Sequence, residues 1–229
     1  TWTLQGTPST TYGTMAIDSD TGTWTYTLNN ADTDTQALKE GETVTETYTA
    51  RVTDDFGAYA EQTVTVTING TNDVPVVTTV SGQDAGSVTE AGHADDGTAV
   101  AGTAIATGTL TVSDVDTDAT RTWTLEGTPS ATYGTMAIDS VTGVWTYALN
   151  NADTDTQALK EGQTVTETYI ARVTDDFGAY VDQTVTVTIN GTNDKPVITT
   201  TAGQDAGSVT EAGHDDAGSS VAGTASATG

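Results

Sequence analysis

The chain contains no cysteine and only 6 Lys+Arg against 32 Asp+Glu, a formal net charge of -26 over 229 residues. Missing thiols exclude a disulfide framework and any thiolate site. The scarcity of cations argues against nucleic acid, whose phosphates need clustered Lys/Arg, and equally against an anionic membrane surface. No apolar run approaches the ~20 residues of a membrane span, so direct membrane insertion is not expected. The only histidines, His93 and His214, occupy equivalent copies of one loop and cannot build a Ser-His-Asp arrangement. No phosphate-cradling glycine motif occurs. Nothing points to an enzyme. An acidic chain with so few basic partners either repels itself or is neutralised by cations. Small extracellular domains without disulfides often take metal as a staple, so a divalent cation is the first partner to consider.

What is present is repetition. TWTLQGTPSTTYGTMAIDS from Thr1 returns as TWTLEGTPSATYGTMAIDS from Thr122, and Trp2, Met15 and Pro75 return as Trp123, Met136 and Pro196. The offset is 121 throughout, and 90 of the 108 overlapping positions are identical without a gap. A unit of that length fits a whole domain rather than a solenoid repeat. The Asn-Asp-x-Pro segment around Pro75 stops a strand and restarts an extended chain, so it reads as the linker. By that phase residues 1–73 are the C-terminal part of one repeat, 74–194 a complete repeat, and 195–229 the N-terminal part of the next. The whole reads as a window on a longer array.

Four Trp, eight Tyr and regular Val/Ile/Thr alternation argue against disorder. Thr63–Ile68, Thr164–Val173 and Trp145–Leu149 alternate with period two, as half-buried strands do. Gly, Asn and Asp clusters punctuate them at short intervals, which suggests a sandwich. Thr35–Glu40 and Thr156–Glu161 are the only helix-compatible stretches, one turn each. The expected fold is all-β, a tandem Greek-key β-sandwich. The aromatic set Trp2, Tyr12, Trp24, Tyr26 and Tyr48 reads as core from its strand alternation, and as a sugar-stacking platform on the other reading.

Three acidic segments carry the chemistry. Ser113–Asp118 places Asp114, Asp116 and Asp118 at every second position after a strand at Gly108–Val112. Such spacing suits a hard cation that takes six to eight oxygens. The other reading is a solvated acidic turn. Val52–Gly57 and its copy Val173–Gly178 end a strand with two aspartates, as a metal-binding end or as an Asp-rich turn with its Phe plugging the core. Asn69, Asn72 and Asp73 lie in the linker, repeated from Asn190 to Pro196.

GTLTVSDVD (Gly108–Asp116), YGTMAIDSVTGVWTYALNN (Tyr133–Asn151), ALKEGQTVTETY (Ala158–Tyr169) and VTDDFG with TVTVTINGTND (Val173–Asp194) resemble the VCBS-type repeats of giant RTX adhesins. A fainter resemblance is to cadherin repeats: Glu90 is similar to the strand-A Glu, Asp114 and Asp116 to the DxD, Ile138–Gly143 to the ID-x-x-TG turn, and Asp175 to the AxD aspartate. The resemblance implies carboxylates converging on a linker to bind calcium: Asn69, Asn72 and Asp73 with Asp114, Asp116 and Asp175, and Asp32 or Asp34 from the preceding repeat. The linker departs from the cadherin pattern by exchanging amide and acid, reading Asn-Gly-Thr-Asn-Asp-Val-Pro. The implied role is a calcium-stiffened stalk of a secreted, extracellular, cell-surface bacterial adhesin, with neighbouring repeats as partners. Two alternatives remain: a carbohydrate- or surface-binding module, and a self-assembling filament in which residues 195–229 of another copy supply strands that 1–73 lacks.

Overall fold

Threonine and valine alternate through most of the chain, and β-branched side chains fit a pleated, half-buried surface best. The structure, a computed structural model describing residues 1–228, realises that preference. The chain separates into two compact units, Thr1–Asn193 and Asp194–Gly229, with Gly229 outside the described residues.

Residues 1–73 form β1 (Trp2–Gln5), β2 (Gly13–Ile17), β3 (Trp24–Leu28), the one-turn helix α1 (Thr33–Gln36), β4 (Thr43–Thr53) and β5 (Tyr59–Asn69). Strands β1, β4 and β5 make one antiparallel sheet, and β2 pairs with β3. The following residues add β6 (Val76–Val77), β7 (Ala85–Thr89), β8 (Gly92–His93), β9 (Ala99–Val100), β10 (Ile105–Thr109) and β11 (Val112–Ser113). They continue with β12 (Arg121–Leu125), β13 (Gly134–Ile138), β14 (Val144–Leu149), α2 (Thr154–Gln157), β15 (Thr164–Asp175) and β16 (Tyr180–Asn190). Each element from β2 to α1 begins within a residue of 121 positions before its counterpart from β13 to α2.

Two sheets face each other in residues 74–193. One has the order β12-β15-β16-β7, with β7 parallel to β16; the other has the order β10-β14-β13. The chain crosses between them after β12 and again after β14, so sequence neighbours lie in different sheets. That is Greek-key connectivity. The single strand expected at Gly108–Val112 is instead two. β10 pairs with β14, then the chain bends through the buried Leu110, and β11 pairs with β6. A strand that switches sheets this way closes the corner of a sandwich.

Between the sheets lie Trp123, Trp145, Tyr147, Tyr169, Val185 and Val187, all inward as alternation predicts. Trp145 is the centre. Its indole Nε1 donates to the Gln83 carbonyl at 2.7 Å, and a Cβ on Gly86 would come 2.7 Å from its Cη2. Glycine there lets the backbone of β7 lie against the ring. Trp123, Trp145, Tyr147 and Tyr169 are therefore core; of the set named from the sequence, Tyr48 is buried, Trp2, Tyr12 and Tyr26 are half-buried, and Trp24, expected inward, is exposed.

The helices start two residues earlier than the sequence suggests. Asp32 and Asp153 are N-caps whose carboxylates accept from the amides of Asp34 and Asp155, at 2.9 Å in each case. Capping an otherwise orphaned amide sets the start. In the second unit β17 (Gly213–His214) pairs with β18 (Ser220–Val221), and every described residue from Asp194 onward is exposed.

Candidate metal centre

Asp114 follows β11 directly, and its Oδ1 accepts from the Asp116 amide at 3.2 Å. That contact folds the loop back, and Asp118 takes a left-handed φ of 56°, a backbone Asp adopts more readily than most residues. Asp116 is thereby turned under the linker. Its Oδ2 accepts from the Asp73 amide at 2.9 Å, and it is only 6% exposed. The Thr117 amide next to it donates to the Ala37 carbonyl at the end of α1, at 3.0 Å. One loop thus bonds both Asp73 and the end of α1.

Asp175 arrives from the other sheet as the last residue of β15. Its Oδ1 accepts from the amides of Phe177 and Ala179, at 2.9 and 2.8 Å, which builds the tight Asp-Asp-Phe-Gly turn. Its Oδ2 accepts from the Asn72 amide nitrogen at 3.0 Å. Asp175 is 7% exposed. Phe177 and its counterpart Phe56 are both exposed, so the turn is present but the phenyl ring does not plug the core.

The junction therefore gathers Asn72, Asp73, Asp114, Asp116 and Asp175. No group of three or more His, Asp or Glu side chains among the described residues is set closely enough to hold a metal ion as it stands. Two carboxylate oxygens here are nevertheless enclosed without a hydrogen bond, Asp114 Oδ2 and Asp116 Oδ1. The ion pairs among the described residues, Arg51–Glu61, Arg172–Glu126 and Arg172–Asp182, involve none of these carboxylates. Enclosing an anionic oxygen without a partner is costly, and a hard cation with oxygen ligands removes that cost. The donors fit calcium: carboxylates and an amide side chain.

The remaining expected residues lie elsewhere. Asp118 and Asn69 are exposed. Asp32 is engaged as a helix cap and Asp34 is exposed in the first turn of α1; neither bonds to the Asp114–Asp116 loop. Glu90, fully buried, belongs to the opposite end of its sandwich. Its carboxylate accepts from the Gln157 side chain at 2.8 Å and the Thr192 amide at 3.2 Å, beside the second linker. The Ala37 carbonyl and the Thr117 amide were not legible as site groups, because backbone groups leave no side-chain signal.

No family model matches the chain, and no curated protein matches it in sequence. Solved structures that resemble it include Drosophila N-cadherin EC1-4, at 13% identity and a TM-score of 0.47, over 83% of this chain and 42% of that one. Extracellular cadherin domains 1-4 of protocadherin gamma B7 align at 16% identity and a TM-score of 0.43, over 92% of this chain and 47% of that one. Mouse clustered PcdhgC3 EC1-3 aligns at 16% and 0.40, over 84% of this chain and 56% of that one. The chain spans about half the length of these molecules. No helix among the described residues is long and apolar enough to cross a membrane.

Proposed function

We propose that this chain is a non-catalytic extender segment of a secreted bacterial surface adhesin, stiffened by calcium where repeats meet. Residues 1–73, 74–194 and 195–229 are then parts of three successive repeats, and neighbouring repeats are each other's partners. The supporting observation is Asp116: a nearly buried carboxylate that bonds the linker through one oxygen and leaves the other without a partner. Asn72, Asp73, Asp114, Asp116 and Asp175 would hold the ion.

The chemistry that calcium supplies when bound is positive charge among carboxylates that no Lys or Arg neutralises. The chain's own residues do the positioning. The Asp73 amide and the Asn72 side chain tie the linker to two different sheets of the following sandwich, and Thr117 ties that sandwich back to α1. Repulsion among these carboxylates opposes the aligned state until a divalent cation binds. Extracellular modules typically bind calcium at about 10⁻⁴–10⁻³ M, so stiffening would follow export.

Isothermal titration with calcium, scattering and melting of the 229-residue chain test this reading. A ligand at a hundredfold excess over Kd stabilises by about 2.7 kcal/mol. Chelation should lower Tm by about 5–11 °C and shorten the particle, and Asp116→Ala should reproduce part of both effects. Unchanged stability and shape in chelator would mean that the acidic loops are merely solvated.

A further inference from the structure

Trp123 and Trp145 are both core, but their indole N–H groups end differently. That of Trp145 is taken by the Gln83 carbonyl. Trp123 is 3% exposed; no described residue accepts from its Nε1, and that atom is not sealed from solvent. A buried N–H without an acceptor is costly unless water or a ligand reaches it. The Nε1 lies against Gly143, where a Cβ would come to 2.9 Å, so the glycine keeps the approach open.

The approach leads into a cavity of about 430 Å³ between the β11–β12 loop and the β13–β14 turn, lined wholly by the complete repeat. Arg121 and Trp123 both line it. They alternate along β12 with an exposed threonine between them, so both side chains leave one face, about 7 Å apart along the strand. Arg121 is half-buried and takes no part in the ion pairs among the described residues. Its guanidinium and the indole offer donors only, which selects a ligand rich in acceptors. A guanidinium fork matches a carboxylate in particular. Thr111 Oγ1 accepts from Thr78 Oγ1 at 3.1 Å, which leaves its own proton to donate into the cavity, and Thr120 adds a second hydroxyl. Val112 and Val141 supply an apolar wall.

We propose that this cavity binds an acidic sugar, a uronate. Its carboxylate sits on Arg121, a second oxygen takes the Trp123 indole proton, ring hydroxyls meet Thr111 and Thr120, and the C–H face of the ring lies on the two valines. The volume is that of a small-ligand site. A neutral sugar leaves the guanidinium unmatched, which is the source of discrimination. The site goes beyond the extender reading, because it uses none of the residues assigned to calcium. The other copy of the turn carries Asp20 where this one has Val141. The two turns are built alike: Asp18 Oδ1 accepts from the Thr21 amide and hydroxyl at 2.7 and 2.8 Å, and Asp139 Oδ1 from those of Thr142 at the same distances. An aspartate at the cavity rim would repel a uronate, so this one exchange decides whether the turn suits the ligand.

The test is a titration of the 229-residue chain with glucuronate and with glucose, read by calorimetry and by the Trp123 indole N–H resonance. Chelator keeps the outcome separate from the calcium reading, and salt at about 0.15 M screens the acidic surface beyond about 8 Å. Glucuronate should shift that resonance with a Kd of about 1 mM, and glucose should bind at least about tenfold more weakly. Arg121→Gln removes a side chain without an ion pair, so the fold should be kept while glucuronate affinity falls at least about tenfold. Val141→Asp, which the equivalent turn already accommodates, should weaken glucuronate as well and leave Tm unchanged. An unmoved Trp123 resonance at about fifty times that Kd, glucose bound as tightly as glucuronate, or an Arg121→Gln variant that binds like wild type overturns the proposal.

Discussion

Trp24 and Trp145 occupy the same place in two copies of one sequence pattern, yet Trp24 is 47% exposed and Trp145 0%. Their own hairpins are alike: Trp24 faces Ile17 across β2–β3, and Trp145 faces Ile138 across β13–β14. The difference is the opening segment, β7 and β10, which residues 74–193 contain and residues 1–73 do not. The polar interior does not need that cover. Glu46 accepts from Tyr26, Tyr48 and Ser9 at 2.7, 2.6 and 2.5 Å, and Glu167 from Tyr147, Tyr169 and Ser130 at 2.7, 2.8 and 2.6 Å. A hydrogen-bond network assembles from the strands that carry it, while the aromatic core needs both sheets filled.

The largest separation between the two regions should come from the tryptophans. Trp145→Ala is expected to cost about 3–5 kcal/mol, the usual range for a fully buried Trp. Trp24→Ala in the monomer should cost under about 1 kcal/mol, as surface substitutions do. Urea unfolding with hydrogen exchange to assign each transition measures both, and equal costs would break the comparison. The next separation concerns the metal. Asp175→Asn should lower calcium affinity at least about tenfold, whereas Asp54→Asn, its counterpart away from the linker, should leave titration unchanged; tenfold is 1.4 kcal/mol.

The shared carboxylates should behave alike. Glu167→Gln and Glu46→Gln are each expected to cost about 1–3 kcal/mol in thermal unfolding, because the tyrosine hydroxyls lose an ionised acceptor. Burial alone would push the Glu46 carboxyl up, but hydrogen bonds from Ser9, Tyr48 and Tyr26 outweigh it and hold the group below the usual range. A depressed folded pKa contributes stability above the unfolded value, near 4.5, that is lost as pH falls through the folded value. Glu46→Gln should flatten that acid limb. The same contacts push the Tyr48 phenol up to about 12, chiefly through burial and then the Glu46 bond. The smallest effect is local. The Thr186 amide donates to the Asp84 carbonyl at 3.0 Å, and the Thr65 amide on the open edge of β5 has no such partner. In the monomer Thr186 should exchange at least about tenfold more slowly than Thr65.

Much of the fold was legible because its signals are local. Period-two alternation places Tyr169, Val185 and Val187 inward whatever the strand order. The signals failed where a longer-range contact decided the outcome. Leu110 interrupts a β-rich run because its strand must leave one sheet for another, and Asp32 sets the start of α1 ahead of the residues that look most helical. Phe177 looks like core by composition, yet the tight turn that Asp175 closes leaves its ring outside.

The sequence by itself determined the 121-residue period, the β class, the acidic balance and the short-range turns, because each depends on residues within a few positions or on composition alone. Which carboxylates meet was decided only by tertiary structure. Asn72 and Asp175 lie 103 residues apart, and Asp73 and Asp116 lie 43 apart. They converge because β11 and β15 end at the same pole of the sandwich, next to the linker. Glu90 has the same chemistry but lies beside Asn190, whose partner Thr164 is at the other end of β15. Eleven residues of strand put about 36 Å between those poles, so strand order and direction, rather than residue type, separate Glu90 from Asp116.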